Sequence, residues 1–261
     1  MVTVAYQAAS ATALITNSGV GGVTNAASGQ GATITVTTEG GAIKVALNIP
    51  TTGATFTQEY ASSVWDVDGL IAGETPSLAQ HATWLKGLFG SNMTGAGITQ
   101  FVGAQSLDSA AYGLWASGDT ATTGRAGAFA FGNLTPAASV PATGSATFNG
   151  TTLGVGGAAN GSTIYALQGK VQIIADFPGH SVTTNLTSLG AQNISTNAVT
   201  SLPDLTGKST ISGNAYAGPI AGTGLTGTIN GNFYGSAAQE TAGVWQASGS
   251  GNSWIGSYGA K

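Results

Sequence analysis

The stretch Gly227–Gly249, GTINGNFYGSAAQETAGVWQASG, decides the fold of this chain. Its first half alternates Thr and Asn residues with Ile229, Gly231 and Phe233, which is the two-residue period of a β-strand with one apolar face. A glycine inside a strand weakens it unless something needs the room. Small, tightly curved barrels need that room, because glycines let strands bend and large side chains fit opposite. The stretch therefore predicts a strand of a small antiparallel barrel.

The sequence around this stretch follows the same pattern. From Ala111 to Lys261, short β-prone segments such as STIYALQG, KVQIIADF and SWIGSYGA are broken by Gly, Pro and Asn. Turn signals recurring about every 8–12 residues are typical of antiparallel sandwiches and barrels. The segment KVQIIADFPGHSVTTNL predicts a hairpin that turns at Pro178–His180.

Residues 111–261 also carry the motifs of a known family. The segments YGLWASGD, GAFAFGNLTPAASVPATGSATFNGT, YALQGKVQIIADF, GTINGNFYGSAAQETAGVW and WIGSYGAK resemble the C-terminal barrel of transferrin-binding-protein-B-like surface and secreted proteins of Gram-negative bacteria. Ser236 stands where the family's turn usually has Pro, and Thr241–Ala242 replace a Gly-leaning pair. The resemblance implies a mainly β fold, with an eight-stranded antiparallel barrel over 111–261 behind a strand-rich handle over 1–110.

The handle region has its own local signals. In Gly31–Ile49, apolar residues alternate on both sides of TEGG, which predicts a hairpin. ETPSLAQHATWLKGLFG predicts one helix over about 74–90, with Thr75 as the N-cap and Pro76 at the first helical position. Gly90 is expected to end the helix.

Composition excludes several function classes. Charged residues make up 6% of the 261, glycines number 42, and the net charge is −4. The six Lys and Arg residues are scattered, so the cation clusters that bind nucleic acid are missing. The chain has no Cys, which excludes disulfides and thiolate chemistry, and no apolar run reaches the ~18 residues of a transmembrane helix.

His81 is the sharpest candidate for a functional side chain. It is predicted on the apolar face of the helix with Leu85, and Trp84 lies close by in sequence. A neutral imidazole on an apolar wall suits axial ligation of heme iron, so we regard His81 as a candidate ligand, with Trp84 and Leu85 as pocket walls. The alternative is a core histidine bonded to a backbone carbonyl. Secreted hemophilin-like members of the family bind heme in this N-terminal region, and the resemblance implies the same possibility here.

Other residues give weaker signals. His180 lies in the predicted PGH turn, where it is either a second heme ligand or a solvated turn residue. Asp66 and Asp68 have the spacing of a Ca²⁺ loop start, but the later positions of that loop do not match, so a turn is the better interpretation. No nucleophile elbow accompanies Asp176 and His180, and we expect neither a metal site nor an enzyme.

The sequence thus predicts an extracellular or cell-surface protein that captures a ligand, with heme as the best single candidate. Two alternatives remain open. One is a structural subunit of an extracellular assembly, because an uncharged surface opposes self-association little and the uncharged strand Val2–Thr16 could pair between chains. The other is a binder of a host or neighbouring protein. The family's outer-membrane export route and its role in iron acquisition are implications of the resemblance.

Overall fold

The computed structural model describes residues 2–16, 19–26, 32–39, 42–49, 54–61, 77–89, 99–118, 123–158 and 163–261. Its first half holds β1 (Val2–Thr16), β2 (Gly19–Ala26), β3 (Ala32–Glu39), β4 (Ala42–Ile49), β5 (Ala54–Ala61), α1 (Leu78–Phe89), β6 (Thr99–Ser106), β7 (Ala110–Gly118) and β8 (Thr123–Gly132). Its second half holds β9 (Ser145–Ala158), β10 (Ile164–Asp176), β11 (Ser181–Asn193), β12 (Val199–Ser201), β13 (Leu205–Ser212), β14 (Ala215–Gly222), β15 (Leu225–Tyr234), β16 (Glu240–Gly249) and β17 (Asn252–Ala260). Within these ranges, no helix is long and apolar enough to cross a membrane.

The first eight strands form an N-terminal sheet in the order β5-β4-β3-β1-β8-β7-β6, with β2 also paired to β1. The hairpin expected in Gly31–Ile49 is confirmed, because β3 and β4 pair from Thr33↔Asn48 to Glu39↔Ala42. Strand pairing places β7 and β8 in this sheet, although the sequence pattern assigned residues from 111 onward to the barrel domain. The barrel strands begin at Ser145.

The helix starts later than the sequence suggested. Ser77 caps it, because its hydroxyl accepts the N–H of Gln80 (3.2 Å) while the Gln80 Oε1 accepts the N–H of Ser77 (2.8 Å). This reciprocal capping box satisfies two donors of the first turn and fixes the start at Leu78. Thr75 and Pro76, the expected cap and first helical residue, lie outside the described residues.

Eight of the remaining strands close into the expected antiparallel barrel. Each of β9, β10, β11 and β13 to β17 pairs with the barrel strand next in sequence, and β17 pairs with β9 to complete the ring. The hairpin around PGH is confirmed by the pairing of Asp176 with Ser181. The short β12 extends the sheet beside β11.

The barrel interior is filled by side chains. Ile229, Phe233 and Trp245 are buried in its core together with Tyr216 and Tyr258. The two tyrosine hydroxyls lie 2.7 Å apart, and the hydroxyl of Tyr216 also lies 2.6 Å from that of Thr241. A methyl group at Gly231 would overlap both tyrosines, which confirms that this glycine makes room for large side chains.

A second apolar cluster joins the N-terminal sheet to the outside of the barrel. Ala11 and Ile15 of β1 and Leu114 of β7 pack with Val155 of β9 and Ile255 of β17. Helix α1 adds Ala82 and Leu85 to the same cluster, and both are buried. Continuous apolar packing of this kind holds sheet, helix and barrel in one fixed arrangement.

Four tyrosines outside this cluster are buried and held neutral: Tyr112, Tyr216, Tyr234 and Tyr258. Burial raises the pKa of Tyr112 to about 12, against a lowering effect of its hydrogen bond to Thr151. Burial likewise raises the pKa values of Tyr216, Tyr234 and Tyr258 above the ordinary tyrosine value.

These pKa values predict a loss of stability in alkali. Above the ordinary tyrosine pKa of about 10, the unfolded chain releases protons that the folded chain keeps. We therefore expect a constant contribution below about pH 10 and a fall of about 1.4 kcal/mol per pH unit for each buried tyrosine between about pH 10 and 12. Urea unfolding across that range measures the slope, which Tyr216→Phe should reduce by the share of a single tyrosine. A flat profile would show that the tyrosines are not buried as described.

Candidate binding site at the seam between sheet and barrel

A cleft of about 530 Å³ lies where the N-terminal sheet meets one end of the barrel. We call it the seam cleft. Its walls come from the β6–β7 turn at 108–109, the linker at 133–136 and the β15–β16 turn at 235–240. The last of these segments belongs to the stretch that predicted the barrel from sequence.

Glu240 fastens the barrel side of the cleft to the sheet side. It is 2% exposed, and its two carboxylate oxygens accept the backbone N–H groups of Asp108 (2.8 Å) and Ser109 (2.9 Å). Charge-assisted hydrogen bonds of this type are about twice as strong as neutral ones. Glu240 therefore holds the β6–β7 turn of the sheet against the first residue of β16.

Thr135 fixes the linker in the same way. It is fully buried, and its hydroxyl donates to the carbonyl of Gly235 (2.8 Å) and accepts the N–H of Ala238 (3.3 Å). The side chain of Asn214 donates to the carbonyl of Thr135 (2.7 Å). Gly235 has φ +85°, a left-handed conformation that suits glycine and lets the turn fold over Thr135. The cleft walls are thus a preformed structure.

The rim of the cleft combines neutral hydrogen-bonding side chains with apolar surface at Leu134 and Pro136. The exposed neutral polar side chains are those of Asn133, Ser236 and Gln239, and Gln239 Nε2 donates to Ser236 Oγ (3.0 Å). The charged groups nearby are Asp108 and Lys261, which form a solvent-exposed ion pair at 3.2 Å. No cluster of three or more His, Cys, Asp or Glu residues that could hold a metal ion occurs in the part of the chain that the structure describes. The cleft can therefore offer both hydrogen bonds and apolar contact to a bound surface.

The sequence-predicted heme residues lie elsewhere. His81, Trp84 and Leu85 are all in α1. Leu85 is fully buried in the cluster between sheet and barrel, so it acts as a packing residue. The side chains of His81 and Trp84 lie outside the described part, and ligation by His81 stays a prediction.

His180 is not brought to the helix. It is exposed in the β10–β11 turn with φ +47°, and its N–H donates to the carbonyl of Phe177 (3.1 Å). Helix α1 lies at the other end of this hairpin, where Leu78 packs over Gly190 of β11. The strand from Ser181 to Gly190 is roughly 30 Å long at the usual rise per residue. The geometry therefore matches the solvated turn residue rather than a second ligand.

The two aspartates that have the spacing of a Ca²⁺ loop start, Asp66 and Asp68, lie outside the described residues.

Sequence reasoning missed Glu240 as a residue of the seam cleft. Its signal was visible as the lone acidic residue in an otherwise uncharged strand–turn–strand stretch, because a charge is buried only where it is compensated.

Comparison with known proteins agrees with the barrel geometry. Residues 140–261 match the family described as the C-lobe and N-lobe beta barrels of Tf-binding protein B. No curated protein matches the chain.

Several solved structures resemble the chain at low identity. Intact Ap-TbpB, with N and C lobes, is 15% identical with a TM-score of 0.47, over 87% of this chain and 54% of that one. The isotype 1 transferrin binding protein B of serogroup B Neisseria meningitidis is 16% identical with a TM-score of 0.47, over 92% and 59%. HpuA from Kingella denitrificans, solved in complex with human haemoglobin, is 14% identical with a TM-score of 0.38, over 87% and 86%.

The present chain spans between half and three fifths of the two transferrin-binding proteins. The family match covers the linker from Val140 and all of the barrel strands, including the hairpin that builds the seam cleft. Residues 140–261 are therefore similar to the C-lobe and N-lobe beta barrels of Tf-binding protein B.

Proposed function

We propose that this chain is a non-enzymatic capture protein, at the bacterial surface or released from it, for an iron-carrying host ligand. The ligand is either a carrier protein or heme itself. The observation that carries the proposal is the barrel of the transferrin-binding-protein-B type over residues 140–261. The named relatives include transferrin-binding proteins and a protein solved with haemoglobin.

The physical character of the described surface supports capture of a protein. The barrel and sheet are packed into one fixed arrangement, so residues at their seam present a preformed surface. That surface combines amide and hydroxyl side chains with apolar surface at Leu134 and Pro136, a mixture that suits a protein interface. Binding at a preformed surface avoids the entropy cost of ordering loops.

Protein capture is tested by equilibrium binding to immobilised human transferrin, lactoferrin and haemoglobin. We expect saturable binding to one of the three. Gln239→Ala, which removes an exposed amide from the cleft rim, should weaken that binding, whereas Val199→Ala on the distant strand β12 should leave it unchanged. Binding to none of the three carrier proteins would contradict the proposal that the ligand is a carrier protein.

The heme arm has its own prediction. If His81 is an axial ligand, titration with hemin should give a saturable, shifted Soret band that His81→Ala abolishes. His180→Ala is the matched control, since His180 is an exposed turn residue far from α1, and it should retain the band. Absorption spectra of the parent protein, His81→Ala and His180→Ala test whether His81 ligates the heme iron. An unshifted spectrum in the parent protein, or equal bands in all three, would overturn ligation by His81.

A further inference from the structure

The N-terminal half of β1 is an open sheet edge. Val2–Ala8 pair with β3, whereas Ser10–Thr16 pair with both β2 and β8. Among the described strands, none pairs with the other side of Val2–Ala8. The two halves of this one strand therefore differ, since the second half is enclosed and the first half has no partner strand along one side among the residues that the structure describes.

The side chains of this edge leave it uncovered. Thr3, Val4, Ala5 and Gln7 are all exposed, and Val4 is one of the large apolar residues of the described chain that stand out to solvent, at 42% exposure. Successive residues of a strand point to opposite faces. Thr3, Ala5 and Gln7 therefore leave one face of the sheet open, whereas on the other face Val4 is exposed and Tyr6 is half-buried against Phe131, with ring centroids 5.4 Å apart.

The edge also lacks the sequence features that prevent edge strands of different molecules from pairing. Soluble proteins protect such edges with charges, prolines or bulges. Residues 1–16 contain no charged residue and no proline, and the pairing of Val2–Ala8 with β3 runs without a bulge. The outer strand at the opposite end of the sheet, β5, does contain a charge, at Glu59.

We propose that the edge Val2–Gln7 is a self-association site that pairs with the same edge of a second copy of this chain. In an antiparallel pair related by a two-fold axis, the strand meets its own side chains, so a charged strand would face its own charge. This segment has none, and its Val and Thr residues favour strand pairing. The product is one continuous sheet running from β5 of one copy to β5 of the other.

The pairing of β1 with β2 and β8 argues against pairing of the whole strand Val2–Thr16 with another chain. Residues Ser10–Thr16 already have neighbouring strands on both sides. No residue of Val2–Gln7 lines the seam cleft, so its pairing does not depend on a ligand bound there.

The test is the oligomeric state of the full chain in a dilution series, measured by light scattering or sedimentation. We expect a dimer that dissociates on dilution. Val4→Lys and Val4→Glu should each shift the chain to monomer, because like charges would meet across the two-fold axis. An equal mixture of the two variants should dimerise again, which only pairing between copies at this edge can produce.

Val199→Lys is the matched control, because Val199 is the more exposed valine, at 61%, on the short strand β12 beside the barrel. It should dimerise like the parent. All variants alter exposed side chains, and unchanged melting temperatures would verify that they fold. A parent chain that is monomeric throughout, a Val4→Lys variant that dimerises like the parent, or a mixture that stays monomeric would each overturn the proposal.

Discussion

Gly231→Ala is expected to destabilise the barrel by about 3 kcal/mol, the upper end of the range for overpacking a close-packed core. A methyl group at this position would meet the hydroxyl of Tyr258 and the ring of Tyr216, which are both buried with no room to move. The two tyrosine hydroxyls also bond to each other, and that of Tyr216 bonds to the hydroxyl of Thr241. A shift of either ring would therefore break this network as well. Urea unfolding measures the loss.

Two variants make this prediction specific. Gly190→Ala is the matched control, because a methyl group on this strand glycine would make only ordinary contact with Leu78 at 3.4 Å, and it should cost far less. Tyr258→Phe removes the atom nearest to the new methyl group, so it should recover part of the stability lost in Gly231→Ala. Equal stabilities of the two alanine variants would contradict the packing described for the barrel.

Glu240→Gln is expected to cost about 2–4 kcal/mol, since hydrogen bonds to a charged group contribute about 1.5–3 kcal/mol each. Glutamine keeps one acceptor oxygen but turns an N–H₂ donor towards a backbone N–H that needs an acceptor. The affected amides are those of Asp108 and Ser109, and their hydrogen exchange should accelerate with the loss of stability. Exchange at these amides reports directly on the seam.

Asp108→Asn provides the control for Glu240→Gln. It removes the exposed ion pair with Lys261 but leaves the backbone N–H of residue 108 bonded to Glu240. Exposed ion pairs contribute about 0–1 kcal/mol, so this variant should be nearly as stable as the parent. If the two variants lost the same stability, the buried carboxylate would not be what holds sheet and barrel together.

The barrel could be predicted from sequence because its signals are local. The alternation around Gly231 and the PGH turn each reflect a few neighbouring residues, and both are confirmed. The sequence predicted that Gly231 makes room for large side chains, but not that these are Tyr216 and Tyr258. Which large side chains fill the space depends on pairing among distant strands, which a period of two does not reveal.

The border between sheet and barrel could not be read in this way. β7 and β8 have the same short, Gly-rich pattern as barrel strands, and only their pairing with β1 shows that they belong to the N-terminal sheet. The helix expected over about 74–90 is present as Leu78–Phe89, and its first residue depends on the capping box of Ser77 with Gln80, which the sequence analysis did not single out.

The candidate site depended most on long-range contacts. The seam cleft joins segments near residues 108, 134 and 238, and no local pattern links them. A histidine on a helix stands out in sequence, whereas a carboxylate that binds two backbone amides more than a hundred residues away does not. Sequence reasoning therefore favoured His81 over the seam.

The most direct test of the proposed capture function is equilibrium binding of the purified chain to human transferrin, lactoferrin, haemoglobin and hemin in one series. We predict saturable binding to at least one of these four ligands. Binding to none of them, by a chain shown to be folded by a cooperative unfolding transition, would contradict the capture function.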